Sequence, residues 1–288
     1  MSSGRKSVFL SAMDKTYLGQ RFQLSEIEHN YGKNVHLLSD PVLFSYLATL
    51  CSPETKQPML NSLVKIIYET LIHIVVNHEY PRKMGRVVTR MAAKHPVEGA
   101  FTAEMIDTET KSVLVNLARA GTYPSHLCYS ALNYLLNPDV VRQDHILMSR
   151  TLDADQQVTG SEAGAFKIGG PVEDSMVIFP DPMGATGSTI IQALDLYKNA
   201  FGGSIKPGKA KKYIAVHLIV TPEYLKNIQR HHSDLVVYAL RLDRGLSPPD
   251  ILATKPGQKW DHEKGLNSDQ YIVPGGGGFG EILNNAYV

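Results

Sequence analysis

The sequence predicts an α/β fold, in which a mostly parallel sheet carries helices on both faces. Its 288 residues suit one large domain, and 43% hydrophobic with 20% charged residues can build a sizeable core. From residue 112 onward, short runs rich in β-branched side chains alternate with segments of helical period. One of these runs leads through a glycine-rich turn into an amphipathic helix, the position at which such sheets bind ligands.

The N-terminal part is predicted to be an extension followed by two packed helices. Residues 1–34 are polar without a sustained period, so we expect them to lie on or cap a single domain that covers residues 35–288. Pro41, after Asp40, is typical of a first helical turn. A second helix, at residues 59–76, has apolar residues every three or four positions. Charged residues interrupt one of its faces, which indicates an amphipathic helix and not a membrane span.

The sheet is predicted from strands that alternate with helices. The strands lie at residues 112–117, 145–150, 175–179, 213–220 and 235–242, and the helices at residues 125–136, at residues 188–200 and from Pro222 onward. Strands separated by helices of this length form a parallel sheet, and the carboxyl ends of parallel strands meet at one edge. The chemistry is therefore expected in the loops at that edge.

Two long segments do not fit the alternation. Residues 159–170, TGSEAGAFKIGG, are rich in glycine and favour a mobile arm or flap. Residues 246–270 have no clear period and contain three prolines and Trp260, the only tryptophan. Because a loop of this length in a compact domain is functional or an insertion, we expect an insertion within about residues 247–269.

Charge and cysteine content exclude several classes of partner. The 29 basic and 28 acidic side chains nearly cancel, so neither a nucleic acid nor an anionic membrane is expected as a partner. Cys51 and Cys128 are too few for a disulfide framework, which favours a reducing compartment. The N-terminal residues carry no export signal, so we expect a cytoplasmic protein.

The most informative segment is VIFPDPMGATGSTIIQALDLY, at residues 177–197. Its apolar strand ends at Phe179, and small residues connect it to an amphipathic helix. Loop N–H groups and the helix N-terminus would therefore point at an anion. Asp181 adds an acceptor suited to sugar hydroxyls. The pattern is neither a Walker loop nor G-x-G-x-x-G, and it predicts a phosphate monoester site, called here the phosphate loop (residues 181–189).

Four motifs follow one another in a characteristic order. They are LARAG at residues 117–121, D-P-M-x-A-T-G in the phosphate loop, LDRGL at residues 242–246 and YIVPG at residues 271–275. Together they resemble the uracil phosphoribosyltransferases, a family of type I phosphoribosyltransferases, and the resemblance covers roughly residues 35–288. It implies the type I phosphoribosyltransferase fold, with a small hood built from N- and C-terminal segments.

The resemblance implies phosphoribosyl transfer from 5-phosphoribosyl 1-diphosphate to uracil, which gives UMP and diphosphate in pyrimidine salvage. The implied catalytic residues are Arg119 and Arg150 at the diphosphate and Asp181 at the ribose hydroxyls. Guanidinium groups would stabilise the negative charge that grows on the leaving diphosphate. Mg²⁺ is implied as a cofactor that the diphosphate carries, without metal ligands from the protein. The implied residues for binding the phosphoribosyl substrate are Arg119, Arg150, Asp181, Pro182, Met183, Gly184, Ala185, Thr186, Gly187, Ser188, Thr189 and Gly278.

The same resemblance places the base under a C-terminal loop, called here the base loop (residues 271–279). The implied uracil-binding residues are Ile272, Gly277, Gly278 and Phe279, which would contact the base through their main chain. Backbone recognition suits a flat base, since a missing exocyclic oxygen would leave buried amides unpaired. The implied partners are the two small-molecule substrates and further copies of the chain, in a dimer or larger homo-oligomer. The apolar helix at residues 59–76 is an interface candidate, although a core helix would look the same.

The base loop departs from the family pattern G-x-G-D-A-G-D, because it reads GGGGFGE. Gly278 replaces the aspartate that would touch the phosphoribosyl substrate, and Phe279 replaces the small residue beside the base. An acid in the insertion is expected to compensate, with Asp250, Asp261, Glu263 and Asp269 as the candidates. Two alternatives stay open: a non-catalytic regulatory or interaction subunit, and a transferase that acts on another nucleobase.

Overall fold

A mixed sheet forms the centre of the protein. The computed structural model describes residues 15–152, 158–199 and 207–286 and, within these ranges, the side chains outside residues 148–164. The strands are β1 (Val35–Leu37), β2 (Arg82–Val88), β3 (Ala100–Ile106), β4 (Ser112–Ala118), β5 (Val141–Leu152), β6 (Val158–Lys167), β7 (Met176–Pro180), β8 (Met183–Gly184), β9 (Lys212–Val220) and β10 (Val236–Leu242). The central sheet has the order β1-β10-β9-β7-β4-β5-β6, and β8 pairs with β9. Neighbouring strands are parallel except β6, which runs antiparallel to β5.

Helices cover both faces of this sheet. They are α1 (Pro41–Leu50), α2 (Met59–Glu79), α3 (Thr122–Leu135), α4 (Ser188–Lys198), α5 (Pro222–His231), α6 (Pro249–Leu252) and α7 (Phe279–Ile282). Buried residues of α1, α2 and α3 form one hydrophobic cluster with one face of the sheet, and those of α4 and α5 form a second cluster with the other face. The predicted α/β architecture, with a mostly parallel sheet and helices on both sides, is confirmed.

Helix α2 belongs to the core. By length and composition alone it could cross a membrane, but half of its apolar window is buried inside the protein. Nine of its side chains are buried, and Val64, Ile67 and Leu71 are fully enclosed. It packs against α1 and α3. Its apolar stripe is therefore used within the chain, which disfavours it as an interface between copies.

The structure corrects the prediction for residues 159–170. In place of a mobile arm or flap, most of them lie in β6, which pairs with β5 from Lys167 opposite His145 to Val158 opposite Leu152. Glycine and alanine have low β-propensity, so the sequence of β6 alone does not indicate a strand. Pairing with the long edge of β5 decides its conformation.

A second difference is the hairpin of β2 and β3, which the sequence pattern did not reveal. Its two strands pair only with each other, in antiparallel register. Six of the seven residues of β2 are exposed, so neither face has the apolar alternation that marks a half-buried strand. Several large apolar side chains on and next to the hairpin are exposed, among them Met84, Val88, Met91, Val97 and Phe101.

The insertion is tied to both the sheet and the N-terminal segment. Arg244, directly after β10, forms an ion pair with the fully buried Glu263 at 2.9 Å and donates to the carbonyl of Thr254 at 2.7 Å. The Tyr31 hydroxyl donates to the other oxygen of Glu263. The Asn30 N–H also donates to the carbonyl of Pro256 at 2.8 Å. A buried salt bridge thus holds the insertion against the segment that precedes β1.

Candidate functional site

Three motifs meet at the carboxyl edge of the sheet. Arg119 follows the end of β4, Asp181 follows β7, and Asp243 follows β10. The three strands are parallel members of one sheet, in which β9 separates β7 from β10. The turn after β4 packs closely on the turn after β7, since a Cβ on Gly121 would lie 3.0 Å from the carbonyl oxygen of Pro180. The edge therefore has the geometry in which parallel sheets bind ligands.

The backbone of the phosphate loop turns its carbonyl groups away from this edge. The acceptors and donors are Asp181 O with His217 Nδ1 (2.6 Å), Pro182 O with the Leu218 N–H (3.0 Å), Gly184 O with the Thr221 N–H (3.1 Å), Ala185 O with Thr221 Oγ1 (2.7 Å) and Thr186 O with Asn227 Nδ2 (2.9 Å). All five donors come from β9, α5 or the residue between them. These five carbonyls are therefore engaged behind the loop, whereas the Met183 carbonyl accepts from the Ala185 N–H at 3.1 Å within it.

The front of the loop is suited to an anion. Gly187 has φ +85°, a conformation that glycine adopts without strain, and helix α4 begins at the next residue. The first N–H groups of an α-helix have no intrahelical acceptor and carry partial positive charge. The Thr186 and Ser188 hydroxyls lie 3.1 Å apart beside them. Loop, helix terminus and hydroxyls together form an anion cradle of the kind that binds a phosphate group.

Asp181 lies half-buried at the start of the cradle. Burial raises the pKa of its carboxyl to about 7, against the opposing effect of a hydrogen bond from the Met183 N–H. The carboxyl therefore changes charge near neutral pH when no ligand is bound. It can accept hydrogen bonds from hydroxyl groups once it is ionised.

Arg119 reaches from the β4 turn toward the C-terminal residues. Its guanidinium donates to the carbonyl of Ala286 at 3.3 Å and lies 4.0 Å from the carboxylate of Glu281. The side chain is 43% exposed, which leaves it accessible to an anion. Arg150 is a residue of β5, where its backbone pairs with Ser161, but its side chain lies outside the described part. Its contact with a diphosphate stays a prediction.

The base loop is held to β10 by a pair of charged residues. Arg241 binds both carboxylate oxygens of the buried Asp243, at 2.6 and 2.7 Å. Asp243 accepts from the Gly275 N–H at 2.7 Å, and Arg241 donates to the Gly275 carbonyl at 3.0 Å. Both main-chain groups of one glycine are thereby fixed. The loop continues through Gly277, whose φ of +82° again favours glycine.

Comparison with known proteins assigns this arrangement to a family. Residues 37–258 match the family model described as uracil phosphoribosyltransferase. The chain belongs to the uracil phosphoribosyltransferase family. A relative named uracil phosphoribosyltransferase from Variovorax paradoxus is 29% identical over 87% of this chain and 97% of its own length. One of the same name from Polaromonas naphthalenivorans is 26% identical over the same shares of the two chains.

A solved structure has the same fold. The AQ2163 protein from Aquifex aeolicus aligns with a TM-score of 0.63 at 19% identity, over 88% of this chain and 99% of its own. The predicted resemblance is therefore confirmed, and the protein is a phosphoribosyltransferase by family.

In this uracil phosphoribosyltransferase family member, the Phe279 side chain is buried behind the base loop. The ring is only 2% exposed and belongs to the hydrophobic cluster that α1 and α2 form with the sheet. It lies directly behind Gly276, where a Cβ would approach the ring to 2.7 Å. A large apolar side chain gains more by burial than by lining a polar cleft. The Phe279 side chain is thus part of the core, and the expected contact of its main chain with the base stays a prediction.

The carboxylate nearest Gly278 comes from Glu281, one turn further along the chain. Among described atoms, the three that a Cβ on Gly278 would meet first belong to Glu281 and Tyr271. Three of the four acids proposed from the insertion have partners elsewhere. Glu263 is buried with Arg244, Asp261 pairs with Lys226, and Asp250 lies 3.9 Å from Lys259. No carboxylate of the insertion is among the three atoms nearest to that Cβ, so the expected substitute acid is not found beside Gly278.

Sequence reasoning missed the residues behind the phosphate loop. Thr221 caps α5 by accepting from the Tyr224 N–H at 3.0 Å, and its hydroxyl also donates to the loop. A threonine before Pro222 is a helix-start signal, so this residue could have been found. The buried His217 and the half-buried Asn227 give no comparable signal. Their roles depend on the register between β9 and the phosphate loop.

A cluster that resembles a metal site lies elsewhere on the sheet. His36, His78 and Glu79 bring their ligand atoms within 4.8 Å of one another. Both oxygens of Glu79 are already engaged, one by Tyr238 at 2.6 Å and the other by the ammonium of Lys212. Because a cation is already paired with this carboxylate, the cluster is a neutralised hydrogen-bond network.

Proposed function

We propose that the protein joins uracil to 5-phosphoribosyl 1-diphosphate, giving UMP and diphosphate in pyrimidine salvage. The observation that carries this proposal is the phosphate loop, in which five carbonyls are bound from behind and from which helix α4 begins, at the edge of the sheet that also holds Arg119. The base loop borders the same edge. We further propose that the reaction takes place in the cytoplasm, in keeping with the reduced cysteines Cys51 and Cys128.

The cradle would hold the 5′-phosphate and leave the reacting carbon between two loops. The phosphate would accept from N–H groups and hydroxyls of Ala185, Thr186, Gly187, Ser188 and Thr189. Asp181, ionised when it accepts from the ribose hydroxyls, would orient the sugar. A bond then forms between N1 of uracil and the anomeric carbon while the bond from that carbon to the diphosphate oxygen breaks, and N1 loses its proton. Holding both reactants in this geometry is itself a large part of catalysis.

Arg119, with Arg150 as its expected partner, would face the leaving diphosphate. Positive charge grows on the ribose and negative charge grows on the diphosphate as the bond breaks. Guanidinium groups bind phosphate oxygens through charge-assisted hydrogen bonds, which strengthen as that charge develops. Asp181 and Glu281 offer carboxylate oxygens at the same edge, which fits the oxygen ligands that Mg²⁺ prefers. Mg²⁺ bound to the diphosphate would neutralise part of its charge.

The base would be read by main-chain groups of the base loop. Ile272, Gly277, Gly278 and Phe279 contribute the candidate N–H and carbonyl groups. The Arg241–Asp243 pair fixes the Gly275 peptide from behind, so the loop is ordered before the base arrives. A preorganised loop lowers the entropic cost of binding. Because the Phe279 ring is buried in the core, it gives no reason to expect a base other than uracil.

Glu281 is the acid we assign to the place of the missing family aspartate. It extends back over Gly278 and lies 4.0 Å from Arg119, so its carboxylate borders the proposed sugar and diphosphate positions. The non-catalytic alternative is favoured if no carboxylate of the insertion reaches the space above Gly278, and none is among the three atoms nearest to a Cβ there. Because Glu281 supplies a carboxylate to that space from outside the insertion, we keep the enzyme as our proposal.

We also propose a homo-oligomer, a dimer or larger, in which the β2–β3 hairpin contacts another copy. Met84, Val88 and Phe101 expose about half of their side chains, at 51%, 62% and 46%. Apolar patches of this kind mark contact surfaces. A two-stranded hairpin is also marginally stable by itself and gains from packing.

The test is UMP formation by the purified protein with Mg²⁺ and a panel of bases. Turnover with uracil and not with cytosine, adenine or guanine is expected. Turnover with another base alone would show that this base, and not uracil, is the acceptor. If no base reacts although 5-phosphoribosyl 1-diphosphate binds in calorimetry, the protein is a binding subunit and the proposed reaction is wrong.

A further inference from the structure

Two fully buried side chains behind the phosphate loop have no role in the chemistry proposed above. His217 lies on β9 and Tyr224 in the first turn of α5, and both are 0% exposed. Their rings meet edge to face at a centroid distance of 4.8 Å. A buried polar group is costly unless it is hydrogen-bonded, so the partners of both side chains indicate what they do.

The hydrogen bonds form one directed chain that ends on the backbone of Asp181. His217 Nδ1 lies 2.6 Å from the Asp181 carbonyl oxygen, which can only accept, so Nδ1 carries the proton. Nε2 lies 2.7 Å from the Tyr224 hydroxyl. In a neutral imidazole Nε2 must then accept, and the tyrosine donates. Burial lowers the pKa of His217 to about 4, which keeps the ring neutral at physiological pH.

The ring of Tyr224 also forms the floor of the cradle. A Cβ on Gly184 would lie 3.1 Å from Cδ2 of Tyr224, and a Cβ on Gly187 would lie 3.3 Å from the same atom. Both glycines of the phosphate loop therefore rest on this ring. Tyr224 supports the loop through its ring and, through His217, the peptide that carries Asp181.

We propose that His217 and Tyr224 are positioning residues for the phosphoribosyl substrate, acting through the Asp181 peptide and the phosphate loop. The assignment rests on the proposed function for the identity of that substrate. Glycine-rich loops have many accessible conformations, and fixed contacts from behind select the one in which the N–H groups face the ligand. The base loop is held separately, by Arg241 and Asp243. The hydrogen-bond chain of His217 and Tyr224 therefore acts on the phosphoribosyl substrate and not on the base.

Tyr224→Phe removes the hydroxyl and keeps the ring. We expect the KM for 5-phosphoribosyl 1-diphosphate to rise about five- to tenfold, with the KM for uracil changed by less than about twofold, as for the loss of one buried hydrogen bond. His217→Leu should have at least the same effect. His217→Asn keeps a donor near the position of Nδ1, and should recover most of the lost affinity.

Tyr213→Phe serves as the matched control. Tyr213 lies on β9, the strand that carries His217, and is 8% exposed. It is at the start of β9, remote from the phosphate loop. A merely structural role of Tyr224 would lower the melting temperature of Tyr224→Phe and leave both KM values as in the wild type, which would overturn the assignment. Equal rises in both KM values would overturn it as well.

Calorimetry with ribose 5-phosphate separates this assignment from the proposed reaction. Wild-type protein that binds ribose 5-phosphate but does not convert uracil would contradict the reaction, and weaker binding by Tyr224→Phe and His217→Leu would still support the positioning role. Unchanged binding by both variants would refute it, whether or not the wild type is active.

Discussion

Glu281 places its carboxylate over Gly278, in the space that a side chain at position 278 would occupy. The two residues lie on the short C-terminal helix α7 and its N-cap, so one turn of helix brings the acid back over the glycine. An acid three positions after Gly278 thus lies where a side chain at position 278 would point. Arg119, 4.0 Å from Glu281, borders the same space.

The first prediction concerns this shared position. Gly278→Asp would bring a second carboxylate against Glu281, and repulsion between like charges would raise the pKa of one of them. We expect turnover to be reduced by up to about tenfold, or unchanged, and not increased. The double variant Gly278→Asp with Glu281→Gly, which moves the acid to the family position, should recover activity.

The matched control is Gly280→Asp, since a Cβ at Gly280 would meet no described atom within 4 Å other than those of its chain neighbours. A tenfold gain for Gly278→Asp alone, about 1.4 kcal/mol of transition-state stabilisation, would show that Glu281 does not replace the aspartate.

The hydroxyls of the phosphate loop give a second prediction. Thr186→Ala combined with Ser188→Ala removes both hydroxyls at the mouth of the cradle and leaves the backbone N–H groups. Binding of 5-phosphoribosyl 1-diphosphate should weaken by about 1–3 kcal/mol, the scale of charge-assisted hydrogen bonds. Isothermal titration calorimetry measures this affinity directly, and an unchanged value would show that the two hydroxyls do not bind the phosphate.

Arg119→Ala should separate catalysis from stability. The side chain is 43% exposed, and its hydrogen bond to Ala286 is long at 3.3 Å, so its loss should change the free energy of unfolding by less than about 1 kcal/mol. Turnover should fall by at least about a hundredfold, as expected for loss of a group that stabilises the leaving diphosphate. The exposed Arg230 on α5 provides the control. A lower melting temperature with full turnover would make Arg119 a structural residue.

The raised pKa of Asp181 predicts that the carboxylate costs stability in the ligand-free protein. An acid whose pKa is higher in the folded than in the unfolded chain binds more protons when folded, so stability falls as pH rises from about 4 to about 7 and is constant above that range. Asp181→Asn should therefore be more stable than the wild type at about pH 8, on the order of 1–3 kcal/mol, and similar to it near pH 4. Urea denaturation at both pH values tests this, and an equal difference at both would show that Asp181 does not titrate abnormally.

The buried ion pair in the insertion gives the fifth prediction. Glu263→Gln removes the charge that faces Arg244 and replaces one of the two acceptor oxygens, which serve Arg244 and Tyr31, with an NH2 group, and it should destabilise the protein by about 3 kcal/mol. Asp261→Asn, which breaks an exposed pair with Lys226 in the same segment, should cost less than about 1 kcal/mol. Equal effects of the two variants on the melting temperature would contradict a structural role for the buried pair.

Local sequence was sufficient for strands β4, β5, β7, β9 and β10, for helices α1 to α5 and for the phosphate loop. β-branched runs such as residues 112–117 and 213–220 form buried strands because nearly every side chain in them is apolar. The phosphate loop could also be predicted from sequence, because small residues between a strand and a helix are typical of an anion-binding turn. Family motifs then added the substrates, which periodicity cannot supply.

Contacts between segments distant in sequence could not be predicted from local patterns. β6 is a strand because β5 offers it an edge, and the β2–β3 hairpin lacks the alternation that burial would impose. The position of Phe279 depends on a core built from α1, α2 and the sheet.

The sequence by itself determined which residues can bind a phosphate and a sugar: the phosphate loop, Asp181 and Arg119. Only the tertiary structure decided that Glu281 and not an acid of the insertion lies over Gly278, and that His217 and Tyr224 lie behind the phosphate loop. The physical reason is that a hydrogen bond requires atoms within about 3 Å of one another. Local patterns specify conformation along the chain, whereas such distances between β9, α5 and the two loops follow only from how the whole sheet packs.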